Sequence, residues 1–320
     1  MSTAYNFYNL DEQTQMLNQL YLRHILEGDV KRAQEIGNDF IRTRMVEDGV
    51  TRAIMGVVPI TKDDLDRMPH TDQPLKIVER QPGSPGAVSI PLGINAPPMY
   101  YIRGSRFVVP ITRLSTHFLR KDEAELLTYR ADIKQLLAEV IVKDLSWRED
   151  ADFINGLNTI LGGSAGSTNL ISGLVQWNEV PGGVSRVGLS EAFAYAFIPP
   201  TRAPVKKILA NGVLTARLFA FDRTEVGGDD AQDILYNGWG NRKLNNADVI
   251  TSIKRELIPD DTIYMFADPN FIGVFFELQA PSMYIKREDT EIQFRAHEMV
   301  GLGIGHGDAF SRIDFVASST

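Results

Sequence analysis

Apolar side chains recur at helical spacing through most of the first 47 residues. Between Met16 and Ile41 they return every three or four positions, with one interruption at Gly28 and Asp29. A stripe of this kind is typical of amphipathic helices whose apolar side needs a partner surface. That surface lies either within the chain or on a neighbouring copy. The members that we expect to contact a neighbouring copy are Met16, Leu20, Phe40 and Ile41.

A second helical pattern begins at residue 121. Apolar positions keep helical spacing from Leu126 onward, and no proline interrupts them. The pattern predicts one helix over residues 121–147, about 40 Å long at roughly 1.5 Å per residue. Asp150 is then predicted to cap a short second helix that ends at "GGSAGS".

Residues 48–104 lose the helical period and become rich in proline and glycine. The segments "LKIVER" (75–80) and "AVSIPLGI" (87–94) alternate enough to be strands, and "QPGSPG" between them is a strong turn signal. Together they predict a long two-stranded ribbon. Such a ribbon is marginally stable alone, so we expect it to be covered from outside. The turn residues that we expect to contact another subunit are Pro82, Gly83, Pro85 and Gly86.

The pattern becomes mixed from residue 164 onward. "SEAFAYAF" (190–197) predicts a short helix, "VKKILAN" (205–211) predicts a strand, and "GVLTARLFAF" directly after it predicts a helix. "DVITSI" and "DTIYMFAD" predict two further strands, and "FIGVFFEL" (271–278) predicts a strand or a buried segment. This alternation indicates a unit in which helices and strands pack together.

The last long segment, "TEIQFRAHEMVGLGIGHGDAFSRIDF" (290–315), carries glycine at every second position from 301 to 307. A dinucleotide-binding loop requires GxGxxG between a strand and a helix, whereas this run breaks the third interval and precedes a strand-like sequence. We predict three strands beside the long helix: residues 291–297, the glycine-rich "MVGLGIG" and the closing "AFSRIDF". Alternate glycines leave one strand face bare, so Gly301 and Gly303 are predicted close-approach positions.

The amino-acid composition and the absence of known motifs argue against several kinds of functional site. The 320 residues include no cysteine, which excludes disulfides and thiolate catalysis, and a net charge of −8 argues against a sequence-reading nucleic-acid binder. We expect neither a membrane span nor a signal peptide, because no long apolar run and no basic-then-apolar N-terminus occurs. "GGSAGST" (162–168) lacks the lysine of a phosphate loop, and HExxH and GxSxG are absent. We therefore predict no catalytic, cofactor-binding or metal site.

The order of these segments resembles the major capsid protein of tailed bacteriophages, the Hong Kong 97 fold. The strand-plus-helix "VKKILANGVLTARL", the later "ADPNFIGVFFELQAPSMYI" and the closing strands are similar to segments of that family. The resemblance covers nearly the whole chain. It implies an α+β fold with an N-terminal arm, an extended two-stranded loop, a long spine helix in a peripheral domain, and an axial domain. The implied parts are 1–48 (arm), 49–104 (extended loop), 105–165 (peripheral domain with spine helix), 166–282 (axial domain) and 283–320 (peripheral-domain C-terminal strands).

The resemblance implies a structural protein and not an enzyme. Copies are expected to form pentamers and hexamers that tile an icosahedral shell around double-stranded DNA, in a virion assembled in the host cytoplasm. Implied partners are a portal, decoration or cement proteins, and a separate scaffolding protein, because only about 48 residues precede the ribbon. DNA would be enclosed without sequence-specific binding, and no membrane is involved. Two alternatives stay open: an encapsulin-type compartment shell, and an α/β enzyme with a cleft of convergent titratable groups.

Overall fold

The computed structural model describes residues 12–27, 29–35, 38, 41, 45, 49–79, 89–92, 95, 106–122, 133–196, 204–218, 243–288 and 290–316. Helices lie at Glu12–Leu26 (α1), Val50–Met55 (α2), Ile133–Ile160 (α3), Arg186–Ala196 (α4), Gly212–Leu218 (α5) and Pro269–Ile272 (α6). Strands lie at Val58–Pro59 (β1), Leu75–Glu79 (β2), Arg106–Pro110 (β3), Thr112–Ser115 (β4), Leu119–Asp122 (β5), Trp177–Pro181 (β6), Lys207–Asn211 (β7), Lys243–Leu244 (β8), Ala247–Ser252 (β9), Thr262–Phe266 (β10), Gly273–Glu288 (β11), Glu291–Ile304 (β12) and Phe310–Val316 (β13). Among the described helices, none combines the length and the apolar character needed to cross a membrane.

The first sheet has the strand order β1-β11-β12-β4, and β5 pairs with another part of β12. β11 and β12 form one antiparallel ladder, which runs from Gly273 opposite Ile304 to Glu288 opposite Glu291. The prediction of two separate strands within residues 291–304 is therefore wrong. Glycine weakens a strand without ending it, and the ladder with β11 continues through the glycine-rich part.

The long helix α3 packs on one face of the first sheet, and its bounds differ from the predicted 121–147. Residues 119–122 form β5 instead, because they pair with β12, and this ladder outweighs the local helix propensity. The helix then continues past Asp150 to Ile160. The predicted second helix beginning at Asp150 is thus part of the same helix.

Asp150 does cap a helix, but one that is remote in sequence. Its carboxylate accepts hydrogen bonds from the backbone amides of Val50 (3.2 Å) and Thr51 (2.8 Å), the first residues of α2. Helix N-termini carry amides without intrahelical partners, and a buried carboxylate satisfies them well. The interior of α3 therefore positions the start of α2.

Helix α1 packs on the same side of the first sheet as α3. Tyr21 and Ile25 of α1 are buried together with Leu145 of α3 and Ile285 of β11. The Tyr21 hydroxyl also donates to Met283 Sδ at 3.7 Å. The helical pattern predicted for the arm is confirmed in this part, and its buried residues Tyr21, Leu22 and Ile25 pack within the chain.

The second sheet has the strand order β6-β13-β10-β7-β9-β8. Its strand β7 and the following helix α5 confirm the strand-plus-helix predicted from residue 205 onward, and α4 confirms the short helix near 190–197. The prediction that "AFSRIDF" closes the set beside the long helix is wrong, because β13 lies between β6 and β10. Alternating apolar positions define a strand's faces but leave its partners open, so both placements suit this sequence.

Candidate functional site

The predicted two-stranded ribbon is present, but one of its strands is different. β2 pairs antiparallel with β3 over the full length of both strands, and we call this pair the ribbon base. The predicted partner "AVSIPLGI" contributes no strand within its described residues 89–92. Pro91 interrupts that segment, whereas "FVV" in β3 offers an unbroken run of apolar strand formers. Residues 80–105 therefore connect the two strands.

The ribbon base packs on the face of the first sheet that points away from α3. A Cβ on Gly301 would lie 2.5 Å from Ile111 Cδ1, and a Cβ on Gly303 would overlap Val109 Cγ2 and lie 3.0 Å from Phe107 Cε2. Val109 is completely buried there. Cover from outside the chain is thus not needed at the ribbon base, contrary to the expectation for the whole ribbon. The glycine-bearing strand β12 of the same chain packs against the ribbon base.

The residues predicted as assembly contacts fall into three groups. Leu20 on α1 is 45% exposed and open to a partner. Ile41 is completely buried in the core that α1, α3 and the first sheet share, so the predicted contact with a neighbouring copy does not hold for it. The side chain of Met16 and the residues Phe40, Pro82, Gly83, Pro85 and Gly86 lie outside the described part of the chain.

Four ionisable side chains meet in the interior where α2, α3 and the first sheet join. Arg52 of α2 donates to Glu149 of α3 through Nη2 (2.7 Å) and Nε (3.0 Å). The same guanidinium donates to Glu298 of β12 (2.8 Å) and to Glu277 of β11 (2.9 Å). The side chains of Glu149 and Glu298 are fully buried. We call these four residues the charge cluster; sequence reasoning missed it, because its members lie up to 246 positions apart and no motif relates them.

Burial and the close approach of three carboxylates to one guanidinium change the pKa values of the residues in the charge cluster. Burial, reinforced by the charge of Glu149, raises the pKa of Glu298 to about 9. Burial also raises the pKa of Glu149, against the opposing attraction of Arg52. For Arg52, burial alone would lower the pKa, but hydrogen bonding and charge from Glu149 and its neighbours raise it above its ordinary value. The charge cluster therefore retains a proton at neutral pH, on Glu298, while Arg52 stays charged.

Replacing Glu298 with glutamine is expected to keep the fold at neutral pH and to flatten the pH dependence of stability. The folded-state pKa of Glu298 lies above its ordinary value of 4.5, so its stabilising contribution is complete below that value and is lost as the pH rises through about 9. The free energy of unfolding of the unmodified protein should fall over this range by roughly 1 kcal/mol per pH unit from this group. Glutamine has no proton to lose, so the free energy of unfolding of the Glu298→Gln variant should fall less over the same pH range.

Urea unfolding of both proteins at several pH values between 6 and 9 checks this expectation. The matched control is Glu191→Gln on α4, which removes an exposed carboxylate and should leave the pH dependence unchanged. Parallel stability curves for Glu298→Gln and the unmodified protein would contradict a proton held on Glu298.

A further buried carboxylate joins the second sheet to this region. Asp150 accepts hydrogen bonds from Lys254 Nζ at 2.6 Å and from Thr51 Oγ1 at 2.7 Å, and Lys254 follows β9 of the second sheet. The start of α2, the long helix and both sheets are therefore connected through charged hydrogen bonds. Within the part of the chain that the structure describes, no three His, Asp or Glu side chains are placed to hold a metal ion.

Known proteins resemble this chain in structure and not in sequence. No family model and no curated protein matches the sequence. The bacteriophage PhiM1 mature capsid chain is 8% identical with a TM-score of 0.54, covering 84% of this chain and 87% of that chain. A chain from Microbacterium phage Oxtober96 is 12% identical with a TM-score of 0.58, covering 84% and 91%.

A third structure, the virus-like particle from Pyrococcus furiosus, is 13% identical with a TM-score of 0.52, covering 88% of this chain and 99% of that chain. At such low identities the similarity shows the fold alone. It confirms the α+β fold of the Hong Kong 97 type that the order of segments led us to expect.

Proposed function

We propose that this chain is the major capsid protein of a tailed bacteriophage, whose copies form pentamers and hexamers of an icosahedral shell around double-stranded DNA. The observation that carries the proposal is the shared fold, which extends over 84% of this chain in its match to a mature phage capsid. The role is structural and not enzymatic. The protein then resides in the virion and assembles in the host cytoplasm, with scaffolding, portal and decoration proteins as partners.

We propose the division of the chain that follows from this role. The two sheets support it in outline, because one packs with the long helix and the other forms a separate layer. The final strand β13 pairs with β10 and β6 in the second sheet. The proposed parts are 1–48 as arm, 49–104 as extended loop, 105–165 as peripheral domain, 166–282 as axial domain and 283–320 as peripheral-domain strands, with β13 at the end of this last part assigned instead to the axial layer because of its pairing.

The ribbon beyond its base is proposed to lie over a neighbouring subunit. Residues 80–105 carry two arginines and no carboxylate, so a partly acidic, partly apolar surface suits them. The outer side of α3 offers such a surface: Val140 is 37% exposed and Trp147 is 40% exposed, and Asp144 lies between them. Asp144 and Trp147 also line a groove of 280 Å³ between α3 and the β4–β5 connection.

Deleting residues 81–86 is expected to leave a folded subunit that forms no closed shells. The physical reason is that the ribbon base is fixed by its own subunit, whereas the turn is proposed to contact a neighbouring one. Thermal unfolding measures the subunit, and electron microscopy with light scattering measures assembly. Trp147→Glu on α3 is the partner variant and should give the same result.

Two outcomes would count against the proposal. Normal shells formed by the deletion variant would contradict the proposed role of the turn. An unmodified protein that stays monomeric even with a co-expressed scaffolding partner would contradict the capsid function. The contents of purified shells also distinguish a phage capsid from an encapsulin, because a phage shell holds nuclease-protected DNA and an encapsulin holds cargo protein.

A further inference from the structure

Beyond the ribbon base, the described residues place no helix or strand on the face of the first sheet that points away from α3, and we call it the open face. Directly paired residues of neighbouring strands share a face, so the open face can be followed row by row. One row is Lys286, Gln293 and Arg120, and the next places Tyr284 opposite Arg295. Further along, Met299 lies opposite Arg113. Within the described residues, no helix or strand covers these rows, and we call Arg113, Arg120, Lys286 and Arg295 with their neighbours Phe118 and Tyr284 the basic face.

The cations of the basic face are poorly compensated. Arg113 and Arg120 are exposed and form no ion pair with any described residue, whereas Lys286 lies 3.4 Å from Glu288. His297, which lies in the same face, has a lowered pKa because of burial and then the charges of Arg113 and Arg295. This concentration of positive charge occurs in a chain whose net charge is −8, so it is a local feature.

Arg295 occupies the centre of the basic face. Its guanidinium lies 4.8 Å from the ring centroid of Phe118 and 5.6 Å from that of Tyr284. The rings hold the arginine in place and are themselves 43% and 39% exposed. Its Nε is buried and has no hydrogen-bond acceptor among the described residues. A held cation flanked by exposed rings suits a carboxylate that is followed by an apolar side chain.

The basic face is bounded at both ends. At one end a row of three carboxylates, Glu288, Glu291 and Asp122, crosses the same face. At the other end the ribbon base stands over Gly301. The distance between the first and last basic rows is six residues of β12, about 20 Å at roughly 3.3 Å per residue. A continuous polyanion such as duplex DNA would run into the carboxylate row, whereas an extended segment of about six residues fits between the two ends.

We propose that the basic face binds a short acidic segment of a second protein, extended along β12, with its carboxylates on Arg113, Arg120 and Arg295. An apolar side chain of that segment packs on Phe118 and Tyr284. This inference goes beyond the proposed capsid role, and it holds for the single subunit whether or not shells form.

The test is binding of the peptide acetyl-Glu-Asp-Leu-Glu-Asp-Phe-amide to the purified full chain, measured by titration calorimetry at low and high salt. The control peptide replaces each acid by its amide. Arg120→Gln/Arg295→Gln should weaken binding roughly tenfold and Arg113→Gln about threefold, because each removes a partly exposed ion pair. Lys143→Gln on α3 removes an exposed cation from the opposite layer and should leave the affinity unchanged. Arg113→Gln alters no described contact, so it keeps the test valid if the double variant unfolds.

Each other result overturns the proposal. Equal affinity for the amide peptide, or no binding of the acidic peptide at low salt, would remove the acidic-segment site. Binding of a twelve-base-pair duplex in preference to the peptide would assign the face to nucleic acid. Loss of self-association in the arginine variants, with no peptide binding by the unmodified chain, would assign the face to a second copy.

Discussion

Replacing Arg52 with methionine is expected to lower the free energy of unfolding by about 3–5 kcal/mol, the usual cost of removing one partner from a buried ion pair. Arg52 is the cation that Glu149, Glu277 and Glu298 share, and its side chain is 4% exposed. Without it, the carboxylates keep their burial and lose their compensating charge. They must then take up protons or draw in water, and both responses cost stability near neutral pH.

Urea unfolding at neutral pH measures this loss. Arg217→Met is the matched control, because Arg217 pairs with Asp261 at the surface, where both side chains are about half exposed. Removing such a pair typically costs under about 1 kcal/mol. Arg52→Met combined with Glu149→Gln should recover part of the loss, since fewer charges then remain without a partner. Equal losses for Arg52→Met and Arg217→Met would show that the charge cluster does not hold the junction together.

Replacing Gly303 with valine is expected to lower the free energy of unfolding by about 2–3 kcal/mol, the upper part of the range for overpacked sites. The added Cβ overlaps Val109 Cγ2 and lies against the ring of Phe107. Both side chains belong to β3, so the ribbon base would have to move away from the sheet. The effect should therefore appear as lost hydrogen-exchange protection in β2 and β3 as well as a lower unfolding temperature.

The control for this expectation is a rescue. Val109→Ala removes the atoms that meet the new Cβ. The double variant Gly303→Val/Val109→Ala should therefore lose less free energy of unfolding than the sum of the losses in the two single variants. Gly212→Ala provides a second control, because a Cβ there meets only ordinary contacts at 3.9 Å and beyond. If the losses in free energy of unfolding from the changes at 109 and 303 simply add, the contact between Gly303 and Val109 is not the cause of the destabilisation.

Local patterns were sufficient wherever an element depends on its own residues. The helical spacing in α1 and α4 and the change from strand to helix at Asn211 and Gly212 are properties of short segments, and they were predicted correctly. The asparagine side chain at 211 accepts hydrogen bonds from the amides of Val213 and Leu214, which helps to begin α5 at that point. Long-range contacts do not need to be known for such elements.

Long-range pairing decided what the local patterns left open. Residues 119–122 became a strand because β12 pairs with them, and β13 joined the second sheet although its alternation suits either sheet. The same holds for the candidate sites. Alternate glycines indicated a bare strand face, but only the fold shows that Phe107 and Val109 fill it.

The sequence by itself indicated α1, α4, the strand-to-helix change from β7 to α5 and the close approach at Gly301 and Gly303, and its resemblance to a known family indicated the fold class. The local elements were predictable because hydrophobic period, turn chemistry and glycine spacing act over a few residues. Only the tertiary structure decided the charge cluster and the basic face. Arg52 and Glu298 carry no signal of their meeting, since charges are common in any sequence and become unusual only when the fold buries them together or gathers them without partners.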